Sequence, residues 1–169
     1  NTLFISPPGG GKTTILREVI RNVSDGTSYD KGRAVSVVDE RSELGSCLRG
    51  IPQCDLGQRT DIMDGCPKAL GMTMMIRSMG PEVLAVDEIG AREDLEALRD
   101  ALRSGVKILV TAHGDSVEDI QKKRVLCEMV EERMFGRYVV LGAKPHPGTV
   151  MGVYDCLCRE LYSQKAAEK

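Results

Sequence analysis

The sequence predicts an α/β domain whose central sheet is mostly parallel and covered by helices on both faces. Short apolar runs alternate along the chain with stretches of helical, 3.6-residue periodicity. Those runs are continuously apolar rather than alternating, as strands buried on both faces must be. The length of 169 residues with 41% hydrophobic content suits one domain with a packed core.

Taken in order, Thr2 to Ile5 reads as a buried strand. Thr13 to Val23 reads as a helix, with Ile15, Leu16, Val19, Ile20 and Val23 on one face. Ser24 to Gly32 is polar and Gly-containing, a loop, and Ala34 to Val38 is a second strand ending at Asp39-Glu40. Glu43 to Gly65 carries four glycines and one proline and is too long for an idle connection, so it is expected to be functional or to hold small elements. Pro67 to Met79 follows as a helix opened by proline, then Val83 to Val86 as a strand. Glu93 to Arg103 is a helix with Leu95, Leu98 and Leu102 on one face and Gly105 beyond its end. Lys107 to Thr111 is a strand. Ser116 to Lys123, capped by Ser116, and Val125 to Met134 are helical. Arg137 to Leu141 is a further strand, and Thr149 to Tyr154 with Cys156 to Tyr162 form a late hairpin. The domain is thus expected over 1–162, with a polar, frayed tail over 163–169.

Composition narrows the classes. Aromatics are 4% with no Trp, so Leu, Ile, Val, Met and Ala must build the core. Lys and Arg total 23 against 25 Asp and Glu, a net charge of −2, which argues against an overall grip on nucleic acid or anionic membrane. No apolar run approaches the roughly 18–20 residues that span a bilayer. The chain starts without Met or a signal peptide and enters a strand at once, which reads as a piece of a longer protein cut before its first strand. Six cysteines form no CxxC pair and the two histidines lie far apart, so zinc spacing is absent and free thiols in a reducing cytosol are expected. Cys156-Leu157-Cys158 would set two thiols on one face of a strand.

The strongest motif is Ser6-Pro7-Pro8-Gly9-Gly10-Gly11-Lys12-Thr13-Thr14, between a strand and a helix, the context a phosphate loop requires. Its glycines let the backbone wrap closely and turn N–H groups inward, and the helix adds its positive end. Pro8, Gly9, Gly10, Gly11, Lys12, Thr13 and Thr14 are the candidate ATP-binding residues. Lys12 can reach the β- and γ-phosphates, and Thr13 can place its hydroxyl on Mg²⁺. The pattern G-x-x-x-x-G-K-[ST] wants glycine where Ser6 stands, though a small residue can serve. Val83-Leu84-Ala85-Val86-Asp87-Glu88 is the expected partner strand, the Walker B position of P-loop proteins. Asp87 would hold Mg²⁺ through water, and Glu88 would orient or deprotonate the attacking water.

Glu40, after the second strand, is a second candidate for water activation or simply a solvated loop acid. Thr111 and His113 end a strand at the same sheet edge and are candidate sensors of the γ-phosphate; a structural histidine is the alternative. Arg41, Arg49, Arg59 and Arg77 lie in or near the long connection, and each is a surface ion pair or an arginine acting across a subunit boundary. Arg59, in Gly57-Gln58-Arg59-Thr60-Asp61, is the leading candidate in trans, because a turn there would project it.

These segments recur in a known order. With the SPPGGGKTT loop, Val37 to Glu43, Gly57 to Asp61, Asp64 to Lys68, Ile76 to Met79, Val86 to Gly90 and Thr111 to Gly114 resemble the stage III sporulation protein AA family over Leu3 to Leu141. The resemblance implies a P-loop NTPase (RecA/AAA-like) three-layer sandwich, and an ATPase related to type II and type IV secretion ATPases. It implies ATP and Mg²⁺ as cofactors and a hexameric motor in the mother cell of an endospore-forming bacterium. That motor would be cytoplasmic and peripheral to the membrane through partners. It would energise the channel between mother cell and forespore, docking on a membrane-embedded partner, stage III sporulation protein AB. The family carries an N-terminal region before the ATPase core, so the present piece is expected to be monomeric and slow. In related secretion ATPases, carboxylates like Glu40 and a histidine like His113 sit in motifs around the nucleotide. Two rival classes are a nucleic-acid-linked P-loop ATPase, opposed by the charge balance, and a non-hydrolysing nucleotide-binding scaffold, opposed by intact Lys12, Thr13, Asp87 and Glu88. No direct nucleic-acid contact is expected.

Overall fold

The computed structural model describes residues 1–164. Eight strands form one sheet. They are β1 (Thr2–Ser6), β2 (Val35–Asp39), β3 (Thr60–Asp64), β4 (Val83–Val86), β5 (Lys107–His113), β6 (Arg137–Gly142), β7 (Thr149–Asp155) and β8 (Glu160–Ser163). Their order across the sheet is β3-β2-β4-β5-β1-β6-β7-β8. The pairs from β3 through β6 are all parallel, and β7 and β8 add an antiparallel flank. The helices are α1 (Lys12–Asp25), α2 (Lys68–Met79), α3 (Arg92–Arg103), α4 (Val117–Gln121) and α5 (Arg124–Glu131).

Successive strand residues serve two cores, which explains the unbroken apolar runs. Phe4, Val35, Val37 and Ala85 pack under Leu16 and Ile20 of α1. Leu3, Ile5, Leu84, Val86, Ile108 and Val110 face the opposite way, against Met72 and Met75 of α2, Leu95 and Leu98 of α3, and Met129 of α5. The result is the expected three-layer sandwich. Ser116 caps α4 by accepting the Asp119 N–H at 3.2 Å. Asp94 accepts the N–H groups of Gly90 and Ala91, both at 2.9 Å, and so seats the start of α3 just beyond β4.

The stretch from Glu43 to Gly65 holds a small element, as expected: the strand β3, whose residues are half-buried or exposed because it lies at the sheet edge. Before it, the Asp39 carboxylate accepts the N–H groups of Glu43, Leu44 and Gly45 at 2.8–2.9 Å, turning the chain so that Leu44 and Leu56 reach the α1-side core. The final strand begins at Glu160, not at Cys156. Asp155 accepts the N–H groups of Leu157 and Arg159 at 2.9 and 3.0 Å, so Cys156-Leu157-Cys158 forms the hairpin turn, with Cys158 left-handed at φ 60°. The two thiols therefore share no strand face. The helix expected to run to Met134 stops at Glu131, ahead of a left-handed Arg133. Of the expected tail, Ser163 closes β8, and positions 165–169 lie outside the described residues.

Candidate nucleotide site

Parallel strands of an open α/β sheet present ligands at their carboxyl ends. Here β1 delivers the phosphate loop there, β4 delivers Asp87 and Glu88, β5 delivers Thr111 and His113, and β2 delivers Asp39 and Glu40. The loop runs from Ser6 to α1 with Gly9 and Gly11 at φ 73° and 84°, a left-handed region costly for any other residue. A side chain at Gly10 would lie 2.0 Å from the Ser6 hydroxyl oxygen, which in turn donates to the Pro7 carbonyl at 2.8 Å. Ser6 thus fills space inside the loop where the usual pattern has glycine, and Gly10 makes room for it. Pro8 and Thr14 are exposed.

Lys12, the first residue of α1, is 6% exposed, and its ammonium lies 3.1 Å from Glu88 Oε1. The Thr13 hydroxyl donates to Asp87 Oδ2 at 2.8 Å. On the other side of that carboxylate, the buried Thr111 hydroxyl donates to Asp87 Oδ1, and the Thr111 hydroxyl oxygen in turn accepts the Glu88 N–H at 2.8 Å. Two threonines from different elements therefore clamp Asp87.

Glu88 is left-handed at φ 56°, an uncommon state for a non-glycine residue that turns its carboxylate back over the loop. His113 Nε2 lies 2.8 Å from Oε1, and Arg41 Nη1 donates to Oε2 at 2.9 Å. Burial pushes the Glu88 carboxyl up, but the hydrogen bond and charge of Lys12, with His113 and Arg41, outweigh it, leaving the group below the usual carboxylate range.

The structure brings Lys12, Thr13, Asp87, Glu88, His113, Thr111 and Arg41 into one cluster. Glu40 stands one step outside it: its carboxylate pairs with Lys68 Nζ at 3.3 Å, and Lys68 also donates to the Glu88 carbonyl at 2.8 Å. Asp39, Glu40, Arg41, Glu43, Lys68, Asp87 and Glu88 line a small cleft beside the loop. Arg49, Arg59 and Arg77 do not reach Glu88 within this chain. Arg59 precedes β3, at the opposite end of the strands from the phosphate loop, and its guanidinium donates to the Ser24 carbonyl at 3.2 Å.

Sequence reasoning gave no role to Lys68. A signal existed, for Lys68 opens α2, where a cation opposes the helix dipole unless something acidic faces it. Lys123 was also missed: its ammonium holds the His113 carbonyl and pairs with Asp119 at 3.1 Å, fixing the strand end that carries His113.

A strand, a glycine loop opening a helix, and a strand two places across the sheet ending in paired carboxylates are the parts of the P-loop NTPase fold, and solved structures agree. The ATPase DotB of Legionella pneumophila superposes with a TM-score of 0.59 over 82% of this chain and 40% of that one, at 17% identity. The pilus retraction motor PilT, solved with bound ADP, gives 0.58 over 82% and 41%, at 15% identity. Residues 1–161 match the family described as Sporulation stage III, protein AA. Stage III sporulation protein AA of Bacillus subtilis (strain 168) is 52% identical over 155 residues, 92% of this chain and 50% of the relative. The chain belongs to the stage III sporulation protein AA family, and it spans about half the length of that relative.

Proposed function

We propose that this chain is the motor core of a Mg²⁺-dependent ATPase that energises assembly of, or transport through, the channel between mother cell and forespore during endospore formation. The observation that carries the enzymatic part is the convergence of Lys12 on Glu88 and of Thr13 on Asp87 above three glycines. The family and the secretion-ATPase neighbours support the cellular part.

The residues fit a hard divalent cation: the Thr13 hydroxyl and the Asp87 carboxylate are oxygen donors 2.8 Å apart, beside a loop built for phosphate. They would hold Mg²⁺, Asp87 through water, and the bound ion would neutralise charge on the β- and γ-phosphate oxygens. The protein's own groups do the rest. The loop N–H groups and the start of α1 bind phosphate. Lys12 leaves Glu88 for the phosphates. Losing that partner raises the Glu88 carboxyl toward its ordinary range, which makes it a better base toward water at the moment the substrate arrives. His113 and Arg41 keep the freed carboxylate oriented.

In the longer protein the motor works as a hexamer, peripheral to the mother-cell membrane and docked on stage III sporulation protein AB, with Arg59 reaching a neighbour's site. The test is ATP hydrolysis by the full-length protein against its concentration, with light scattering. Activity per subunit is expected to rise as oligomers form, and Lys12→Ala to abolish it. Phosphate release by wild type no faster than by Lys12→Ala would end the proposal.

A further inference from the structure

The β6–β7 loop touches the phosphate loop backbone to backbone. Its tip, His146-Pro147-Gly148-Thr149, is a tight turn: the Thr149 N–H donates to the His146 carbonyl at 3.1 Å, with Pro147 second and Gly148 third at φ 87°. That is type II geometry, which asks for proline and glycine at those positions. Thr149 pairs with Gly142, so the turn is seated on the hairpin. From it the Gly148 N–H donates to the Gly10 carbonyl at 2.9 Å. A side chain at Gly11 would meet the Gly148 nitrogen at 2.6 Å, so the approach leaves no room for one.

The two neighbouring peptide units of the loop are held locally. The Gly10 N–H donates to the Pro7 carbonyl at 3.1 Å, and the Gly11 carbonyl accepts the Ile15 N–H at 2.9 Å. The Gly10–Gly11 peptide between them is held from elsewhere in the chain, by Gly148. A trans peptide is planar, so its carbonyl and its N–H point in opposite directions. Fixing the Gly10 carbonyl toward the turn therefore fixes the Gly11 N–H away from it. Among the described residues that N–H has no hydrogen-bond partner.

We propose that the His146–Thr149 turn is a positioning element of the nucleotide site: by holding the Gly10 carbonyl, the Gly148 N–H keeps the Gly11 N–H aimed at a β-phosphate oxygen. This rests on the reading of the loop as a nucleotide site. It gives the antiparallel flank β6–β8 a part in phosphate binding, although none of its side chains need touch the ligand.

The test uses Mg·ADP as probe, with calorimetry and amide NMR on the 169-residue chain. Gly148→Ala strains a left-handed position and crowds Ile15, whose carbons lie 3.1 Å from the new methyl, which displaces the turn. ADP affinity should fall about five- to tenfold, the effect of one misplaced hydrogen bond to a charged oxygen. The Gly11 amide should lose most of its response to ADP while the Lys12 and Thr13 amides keep theirs. Gly152→Ala crowds Tyr154 in the same hairpin, with no phosphate-loop atom among the nearest contacts of its methyl, and should leave affinity within about twofold of wild type. Wild-type affinity in Gly148→Ala, or equal losses in both variants, overturns the proposal. If Gly148→Ala does not fold, Pro147→Ala must show a smaller loss of the same pattern, and its equality with wild type overturns the proposal instead. A wild-type chain that binds no ADP refutes the nucleotide site itself, and this inference with it.

Discussion

Replacing Glu88 by glutamine separates binding from chemistry. The carboxylate takes the Lys12 ammonium at 3.1 Å, with the two side chains 7% and 19% exposed, so ATP must compete with Glu88 for the loop's cation. Glu88→Gln keeps an oxygen acceptor but removes the charge, which weakens that competing contact by about 1 kcal/mol. The same change removes a negative charge facing the triphosphate. Mg·ATP should therefore bind about fivefold more tightly, by the conversion of 1.4 kcal/mol per tenfold. Turnover should fall by about 10²–10⁴, the usual contribution of a general base, because an amide cannot take a proton from water. Calorimetry gives the first quantity and phosphate release by the full-length protein gives the second. Weaker binding in Glu88→Gln would refute the competition between carboxylate and substrate. Near-wild-type turnover, with Glu40→Gln inactive instead, would move the base to the end of β2.

Lys12→Ala should lose ATP affinity by about ten- to hundredfold in calorimetry, since a charge-assisted bond to phosphate goes with it. Mixing full-length Arg59→Ala with full-length Lys12→Ala, each inactive, should restore part of the activity, because the second still offers its arginine to an intact loop; no recovery despite co-assembly removes Arg59 from that role. Asp39→Ala strands the N–H groups of Glu43, Leu44 and Gly45, at a cost of about 3 kcal/mol, and should lower the melting midpoint by about 5–10 °C. Asp155 is held below the usual carboxylate range by its hydrogen bond from the Arg159 side chain, then by backbone N–H groups of Arg159 and Leu157. A depressed folded pKa contributes stability that is present above the unfolded value, about 4, and lost as pH falls through the folded one. Asp155→Asn should therefore flatten the acid side of a stability-against-pH curve, and an unchanged slope below pH 4 would contradict it.

What could be read in advance was what is local in sequence. The phosphate loop announces itself because strand, glycines, Lys12 and helix are contiguous, and Asp87-Glu88 ends a strand of four buried apolar residues. β3 escaped because an edge strand need not be apolar, and Thr60-Asp61-Ile62-Met63-Asp64 looks like loop until β2 is beside it. Cys156 to Cys158 misled because alternation suggests a strand, while the controlling residue, Asp155, acts through backbone N–H groups that no periodicity reports. Lys68 and Arg41 matter through contacts made across the sheet edge, and the hold of Gly148 on Gly10 is between backbones, where the side-chain alphabet says little beyond the presence of glycine.

The centre of the sheet is also the first strand in the chain. Thr2 faces Leu109 on one side and Arg137 on the other, so β1 has no neighbour until β5 exists and is flanked on both sides only with β6. On a ribosome adding about 5–20 residues per second, that apolar strand waits on the order of ten seconds for its partners. The Gly10 carbonyl of the loop that follows it is held only once Gly148, just before β7, is in place. Nucleotide therefore cannot guide early folding of this domain. Protection of the nascent Leu3-Phe4-Ile5 segment until then falls to chaperones, and a stall in synthesis between β1 and β5 would leave that segment exposed.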